Sequence, residues 1–278
     1  MQELDRRIIN LGIDLEGELT WFGGLDSPLF IEAKGRNSAN PSMGECDITV
    51  LGLSRDIRNY ILRNTKPLTP NAKRVSVVLE VGRESYGTHT RYTGDVFRSQ
   101  IIGKPDVGVR LICRTGFNNK RKLVTRSGSE LTKLSSICKW VADDCGYGLS
   151  FEIQDRNIRS YSFTGSAQEQ LTQLEDLADA EVYVDNDVMY VKAEGEPARG
   201  QQVREVNVDM GLLEAGASET GVKISMLYDP VTTIGTHVKL VSEMNPSLDG
   251  DYVVFKSEYH VANRAEPFYL NVECNPLR

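Results

Sequence analysis

The chain has 278 residues, a formal net charge of −7 and 40% apolar residues. That length accommodates one large domain or two to three small ones, with enough apolar side chains for a real core. The acidic balance argues against a surface that coats nucleic acid, which needs clustered Lys and Arg. Lys120-Arg121-Lys122 reads as a short solvated loop. No run approaches the roughly 18 to 20 apolar residues that span a bilayer, so no membrane insertion is expected. The start, Met1-Gln2-Glu3-Leu4-Asp5, is polar and lacks a signal-peptide core, so folding in a cytosol is expected. The five cysteines are odd in number and show no C-x-x-C spacing. Cys46, Cys113 and Cys274 fall on apolar faces of predicted strands and read as buried small hydrophobes.

In chain order, the first third reads as β structure. Leu11, Ile13 and Leu15 alternate with polar or small residues, as do Cys46, Ile48 and Val50. Val75, Val77, Leu79 and Val81 do the same, and so do Val107, Val109, Leu111 and Cys113. A period of two marks half-buried strands. Turn residues cluster over 35–42, and Gly23-Gly24 beside Asp26 and Pro28 also reads as a turn. One short helix is predicted from Ser54, a capping residue, to Arg63, with Ile57, Ile61 and Leu62 in one stripe.

The middle third changes character. Ser127-Gly128-Ser129-Glu130 fits a capping box and predicts a helix with Leu131, Leu134, Cys138 and Val141 on one face, ended by Gly146 or Gly148. Two alternating strands follow, over 149–153 and 158–163. Ser166-Ala167-Gln168-Glu169 is a second capping box, opening a helix with Leu171, Leu174, Leu177 and Ala178 inward. A hairpin over 182–191 turns at Asp185-Asn186-Asp187. This helix-strand-strand pattern, used twice, predicts a small α+β unit with both helices on one face of a sheet. Glu194-Gly195-Glu196-Pro197 reads as its exit linker.

The last third returns to β. Val222, Ile224, Met226 and Tyr228 alternate until Asp229-Pro230. Val238–Val241 and Tyr252–Phe255 flank a loop through Asn245-Pro246. Asp249-Gly250 is read as a tight hairpin turn with positive φ. The last strand buries Phe268, Leu270, Val272 and Cys274 and exposes Tyr269, Asn271 and Glu273.

Chemistry is hard to find. His89, His237 and His260 lie in separate segments, without metal-ligand spacing. There is no G-x-S-x-G elbow and no phosphate-binding glycine loop. Asp143 and Asp144 are adjacent on a helix and do not share a face. Asp185-Asn186-Asp187 lacks the glycine and distant glutamate of a calcium loop. No catalytic, cofactor-binding or metal-binding residue is assigned, no cofactor is expected, and the chain is not read as an enzyme.

Several segments, in order, carry a resemblance to a known family. Asp47-Ile48-Thr49-Val50-Leu51-Gly52-Leu53-Ser54 resembles its strand-to-short-helix signature, with Gly52 in place of the usual Asn. Tyr92-Thr93-Gly94-Asp95-Val96-Phe97 and Lys104-Pro105-Asp106-Val107 resemble two further strands. Asp209-Met210-Gly211-Leu212-Leu213 and Gly221–Leu227 resemble the entry to a second barrel. Asp249-Gly250, a strand ending near His260, a polar loop with Asn263-Arg264 and the aromatic-rich strand Pro267–Cys274 resemble its C-terminal end. The family is that of phage tail and baseplate hub proteins of the late-control-protein D and gp27-like type.

The resemblance implies a mainly β chain with an α+β insert: a first tube-like β-barrel over 1–115, the insert over 116–197 and a second tube-like β-barrel over 198–278. It also implies a structural virion protein of the tail baseplate, present in host cytoplasm during assembly. Such a hub is a homotrimer that joins the distal end of a six-fold tail tube to a three-fold central spike. It forms part of the DNA channel without specific nucleic-acid binding. Its implied partners are the tail tube protein and the central spike protein, with tape-measure and baseplate wedge proteins as further candidates. Two alternatives stand beside this reading, a tail-associated cell-wall glycan hydrolase and a receptor- or carbohydrate-binding β module.

Overall fold

The structure, a computed structural model, describes residues 5–65, 75–117 and 122–278. Lys120, Arg121 and the first four residues of the polar start lie outside the described residues. The chain opens with β1 (Arg7–Leu15), β2 (Glu18–Gly23), β3 (Phe30–Ser38), β4 (Glu45–Leu51), α1 (Arg55–Asn64), β5 (Ser76–Arg83), β6 (Gly87–Ile102) and β7 (Gly108–Arg114). Next come β8 (Leu123–Ser127), β9 (Leu131–Lys133), α2 (Leu134–Cys145), β10 (Gly148–Phe151), β11 (Asn157–Arg159), β12 (Ser162–Ser166), α3 (Ala167–Ala178), β13 (Glu181–Asp185) and β14 (Val188–Lys192). It ends with β15 (Arg204–Val206), β16 (Leu212–Ala217), β17 (Val222–Leu227), β18 (His237–Leu240), a 3-10 turn at Pro246–Leu248, β19 (Gly250–Ala262) and β20 (Phe268–Pro276).

Among the described residues the protein is mainly β with three α-helices, and the strands of the first and last thirds merge. One 13-stranded sheet runs β16-β17-β20-β19-β3-β4-β7-β6-β5-β1-β2, with β18 and β15 attached beside β19. All its pairs are antiparallel except β15 with β18. The expectation of two separate barrels is corrected here. Strand pairing among the described residues gives an open path with ends at β16 and β2. A single apolar core runs from Ile9 through Leu111 to Leu270. The reason is the antiparallel pairing of β3 with β19, which bonds the two β regions edge to edge before either closes on itself.

Within that sheet lie two units of the same topology. β3, β4, β5, β6 and β7 are arranged β3-β4-β7-β6-β5, and β16, β17, β18, β19 and β20 are arranged β16-β17-β20-β19-β18. The long strand of each carries a β-bulge at a phenylalanine. Val96 pairs with Cys113 and Arg98 with Ile112, skipping Phe97; Val254 pairs with Cys274 and Lys256 with Glu273, skipping Phe255. A bulge bends its strand and lets one strand serve two neighbours in succession. The sequence repeats there as well: Val96-Phe97-Arg98-Ser99-Gln100 against Val254-Phe255-Lys256-Ser257-Glu258. The strand patterns alone do not reveal this repeat.

Residues 124–191 build a second apolar core around α2, α3 and the three-stranded sheet β10-β14-β13. Val182, Val184, Met189 and Val191 face both helices, as the alternation predicts. Tyr183 points the other way, fully buried in the core of the large sheet and stacked on Tyr190 at 5.0 Å. Asn37 on β3 donates to the Val184 carbonyl at 3.1 Å and Gln168 to the Pro41 carbonyl at 2.8 Å. The exit segment 194–197 is tied down too: Ala198 is buried and donates to the Gly235 carbonyl, and Arg278 pairs with Glu194.

Local expectations divide. Ser54 caps α1 by accepting from the Ile57 N–H, and the Ser166–Glu169 capping box forms in full. The hairpin turn has Asn186 and Asp187 at φ 45° and 61°, the pair of left-handed residues that a two-residue loop needs. Gly146 ends α2 at φ 79°. The Ser127 capping box does not form: Ser127 pairs with Ser162 at the end of β8, Leu131–Lys133 is a strand, and α2 begins only at Leu134, with Lys133 as an N-cap that makes no side-chain bond. Gly250 is not a positive-φ turn residue but the first residue of β19, reached through the 3-10 turn. The turn cluster expected over 35–42 begins later, because Gly35–Ser38 belong to β3.

Candidate channel face

Strand alternation gives the belt β17-β20-β19-β3-β4-β7 one face toward the core and one away from it. The outward positions carry charge of both signs. Lys223 and Lys256 both reach Glu273, at 3.5 and 3.1 Å, and Lys256 also reaches Glu258 at 2.9 Å. Arg36 pairs with Glu45 at 2.6 Å and Arg114 with the same carboxylate at 3.1 Å. Arg110 grips Asp47 through Nε at 2.8 Å, and Lys34 meets Glu32 at 3.3 Å. The strand registers align Glu258, Arg36, Glu45 and Arg114 into one row of alternating sign across four strands. Each such pair adds little to stability at the surface, but together they cancel the local potential. The chain's net acidity is therefore not what characterises this face; its cations are committed to carboxylates.

His260 sits within the same face. Its Nε2 lies 2.6 Å from Glu32 and its Nδ1 3.0 Å from the Tyr269 hydroxyl, so one imidazole ties β3, β19 and β20 together. Partial burial pushes the Glu32 carboxyl up, yet hydrogen bonds from His260 and Lys34 outweigh it and leave the group below its ordinary range. Two depressions on the face, of about 450 and 360 Å³, are lined by these paired side chains.

The residues of the C-terminal resemblance act as a clamp. Asn263 accepts from the Ile31 N–H at 3.0 Å and donates to the Leu29 carbonyl at 2.9 Å, continuing the β3 ladder with a side chain. Arg264 donates to the carbonyls of Ser27 and Pro28. Arg7 closes the hairpin from the other side through the Ala265 and Glu266 carbonyls. These contacts fix where the β2–β3 connection enters the belt.

The three histidines are not brought together. His89 is on β6, His237 bonds Asp251 at 2.8 Å on the second unit, and His260 is on the belt. Asp143 pairs with Lys139 and Asp144 with Arg126, so the adjacent carboxylates turn to different partners. Asp185 accepts from Asn37 beside the hairpin turn. Among the described residues no group of His, Cys, Asp and Glu is placed to hold a metal ion. All five cysteines are buried and none forms a disulfide. The sequence reading overlooked the charged belt. Its signal was present in the outward half of each alternation, such as Glu45, Asp47 and Thr49 between Cys46, Ile48 and Val50.

The architecture is that of phage-type tail proteins. The prophage MuSo2 43 kDa tail protein of Shewanella oneidensis shares the fold at a TM-score of 0.66 and 10% identity, over 97% of this chain and 98% of that one. An E. coli component of the type VI secretion system, itself structurally similar to the T4 tail proteins gp27 and gp5, matches at a TM-score of 0.62 and 9% identity, over 96% of this chain and 77% of that one. A chain of the Francisella PdpA–VgrG complex matches at 0.57 and 8% identity, over 99% and 59%. No curated protein sequence matches significantly. Residues 8–274 match the baseplate hub gp41 family, and the chain belongs to it. It is a structural component of a phage-like tail baseplate.

Proposed function

We propose that this chain is the adaptor at the distal end of the tail tube, where six-fold symmetry meets a three-fold central spike, and that its charged belt lines part of the DNA channel. The observation that carries this is the duplication: one chain holds two units of identical strand order joined edge to edge. Three copies in a closed ring then present six near-equivalent units to the tube and three chains to the spike. On this reading residues 1–115 and 198–278 are the two tube-type units and 116–197 an insert outside the ring. The paired charges of the belt support passage of DNA, because cations already held by carboxylates offer phosphates little counterion release. A spike partner is supported by the fold shared with a chain of the PdpA–VgrG complex. The tail tube protein is the partner on the opposite side, and the mature location is the virion baseplate. The paired state of the belt carboxylates favours this structural role over glycan hydrolysis.

A density map of assembled tails tests the proposal. Three copies around the axis, with the belt facing the lumen, are expected. Six copies, or a belt facing outward, would sink it.

A further inference from the structure

The joint inside the chain shows what a joint between chains requires. Beyond its bulge, β19 keeps its pairing with β20, and its other edge passes from β18 to β3: Lys256 lies opposite Ser38, Tyr259 opposite Gly35 and Val261 opposite Ala33. The equivalent strand of the first unit, β6, also continues past its bulge, through Arg98 to Ile102. There, among the described residues, it is paired on one side only, with β7. The equivalent of β3 in the second unit is β16, which among the described residues pairs with β17 alone. Among the described residues, one chain thus has one such joint made and the two halves of a second without a strand partner.

The ladders fix which residues correspond. Val96–Cys113–Cys46–Gly35 in the first unit lies in the same register as Val254–Cys274–Val222–Ala217 in the second. Ile101 of β6 therefore corresponds to Tyr259 of β19, and Ala217 of β16 to Gly35 of β3. The exposures agree. Tyr259 is 6% exposed because β3 covers it, whereas Ile101 is 63% exposed. Ser99, like Ser257, is turned inward, where it meets Thr65. The two open strands suit each other: Gly216 and Ala217 are small, as Gly35 is, and the shared register sets Ile102, the last residue of β6, opposite Gly216.

We infer that β6 of one copy pairs antiparallel with β16 of the next, with Ile101 seated over Ala217, repeating between chains the β19–β3 joint found within one. The contact is heterologous, so it propagates head to tail and closes only as a ring. It covers two strand edges, β6 beyond its bulge and β16, that have no strand partner among the described residues. This rests on the ring reading above and specifies the surface through which the ring forms. The other open edge, β2, carries exposed Leu19 and Trp21 and is the competing choice.

The test is disulfide trapping in assembled tails. Ile101→Cys combined with Ala217→Cys should join copies into covalent rings under mild oxidation, while either substitution alone and the pair Trp21→Cys with Ala217→Cys should not. Ile101→Glu should abolish ring closure and leave the melting temperature of the isolated chain unchanged, since Ile101 is exposed there. Rings of three copies that fail to trap at 101 and 217, that trap at 21 and 217 instead, or that form normally with Ile101→Glu would overturn this interface and leave the ring reading standing. Tails without a closed ring of this chain would overturn both.

Discussion

The ring of Tyr259 lies directly over Gly35, its partner across the β19–β3 pairing. A Cβ at Gly35 would fall 2.2 Å from the Tyr259 Cζ and hydroxyl oxygen. That hydroxyl continues over the next strand to the Cys46 sulfur at 3.2 Å, and the Arg91 guanidinium covers the ring at 4.8 Å. One aromatic side chain thereby fills the place of a missing one at the joint between the two units. Gly35→Ala should destabilise the protein by about 1–3 kcal/mol, the usual cost of forcing bulk into a packed site. Tyr259→Phe, which keeps the ring, should cost less. Urea unfolding measures both, and an unchanged midpoint for Gly35→Ala would contradict the packing.

The two serines that resemble each other in sequence should behave differently. Ser166 accepts from the Glu169 N–H, and Glu169 reaches back to the Ser166 N–H. Ser166→Ala should cost about 0.5–2 kcal/mol. Ser127 caps no helix, so Ser127→Ala should stay within about 0.5 kcal/mol of wild type, as for an ordinary surface change. Equal losses at both positions would mean that α2 starts where the sequence pattern suggested.

Gly250→Ala is expected to be tolerated. The residue is extended, and an added Cβ would meet only the Tyr252 ring at 3.4 Å or more. Gly23 is the contrasting case: at φ 109°, its Cβ would strike the Ile9 carbonyl oxygen at 2.1 Å. Strain in such a conformation costs on the order of 1–3 kcal/mol. Thermal melts of Gly250→Ala and Gly23→Ala should separate clearly, and a matched pair of losses would refute the assignment.

The thiols should be silent in the folded protein. Burial pushes Cys46 and Cys138 up to about 12 and Cys145 to about 11. A thiol reagent at pH 8 should find almost no thiolate before denaturation and five reactive groups after it. Rapid labelling of the native chain would show that one of these sites opens.

Glu32 gives the belt an acid limit. Its carboxyl is lower in the folded state than in the unfolded one, so its stabilising effect is complete above the unfolded value near ~4.3 and is lost as pH falls through the lower folded value. Glu32→Gln should be less stable than wild type at neutral pH, and the gap should close with acidification below about pH 4. A gap that is constant with pH would remove Glu32 from this role.

The strands were legible because each half-buried run repeats every second residue; Ile9, Leu11 and Ile13, or Phe268, Leu270 and Val272, can be read directly. Ser54 and Ser166 were legible because a cap is a local interaction. Ser127 misled because the same local pattern lost to pairing between β8 and β12. Gly35 misled because its glycine answers to Tyr259, more than 200 positions away, and not to a turn. The merging of two β regions into one sheet, and the paired charges across it, depend on register between distant strands. No local pattern encodes that register.

The Ile31–Asn263 bond links residues 232 positions apart. At roughly 5–20 residues per second of synthesis, β3 waits on the order of 10–50 s for the strand that covers it. During that interval the first unit exposes the edge that β19 will occupy, and a neighbouring nascent chain offers the same kind of partner. Loop closure over such a span is slow, so correct assembly depends on the second half of the same chain arriving before a foreign strand does. A message that pauses between α3 and β19 should therefore yield more aggregated protein than one translated evenly, although the finished sequence is identical.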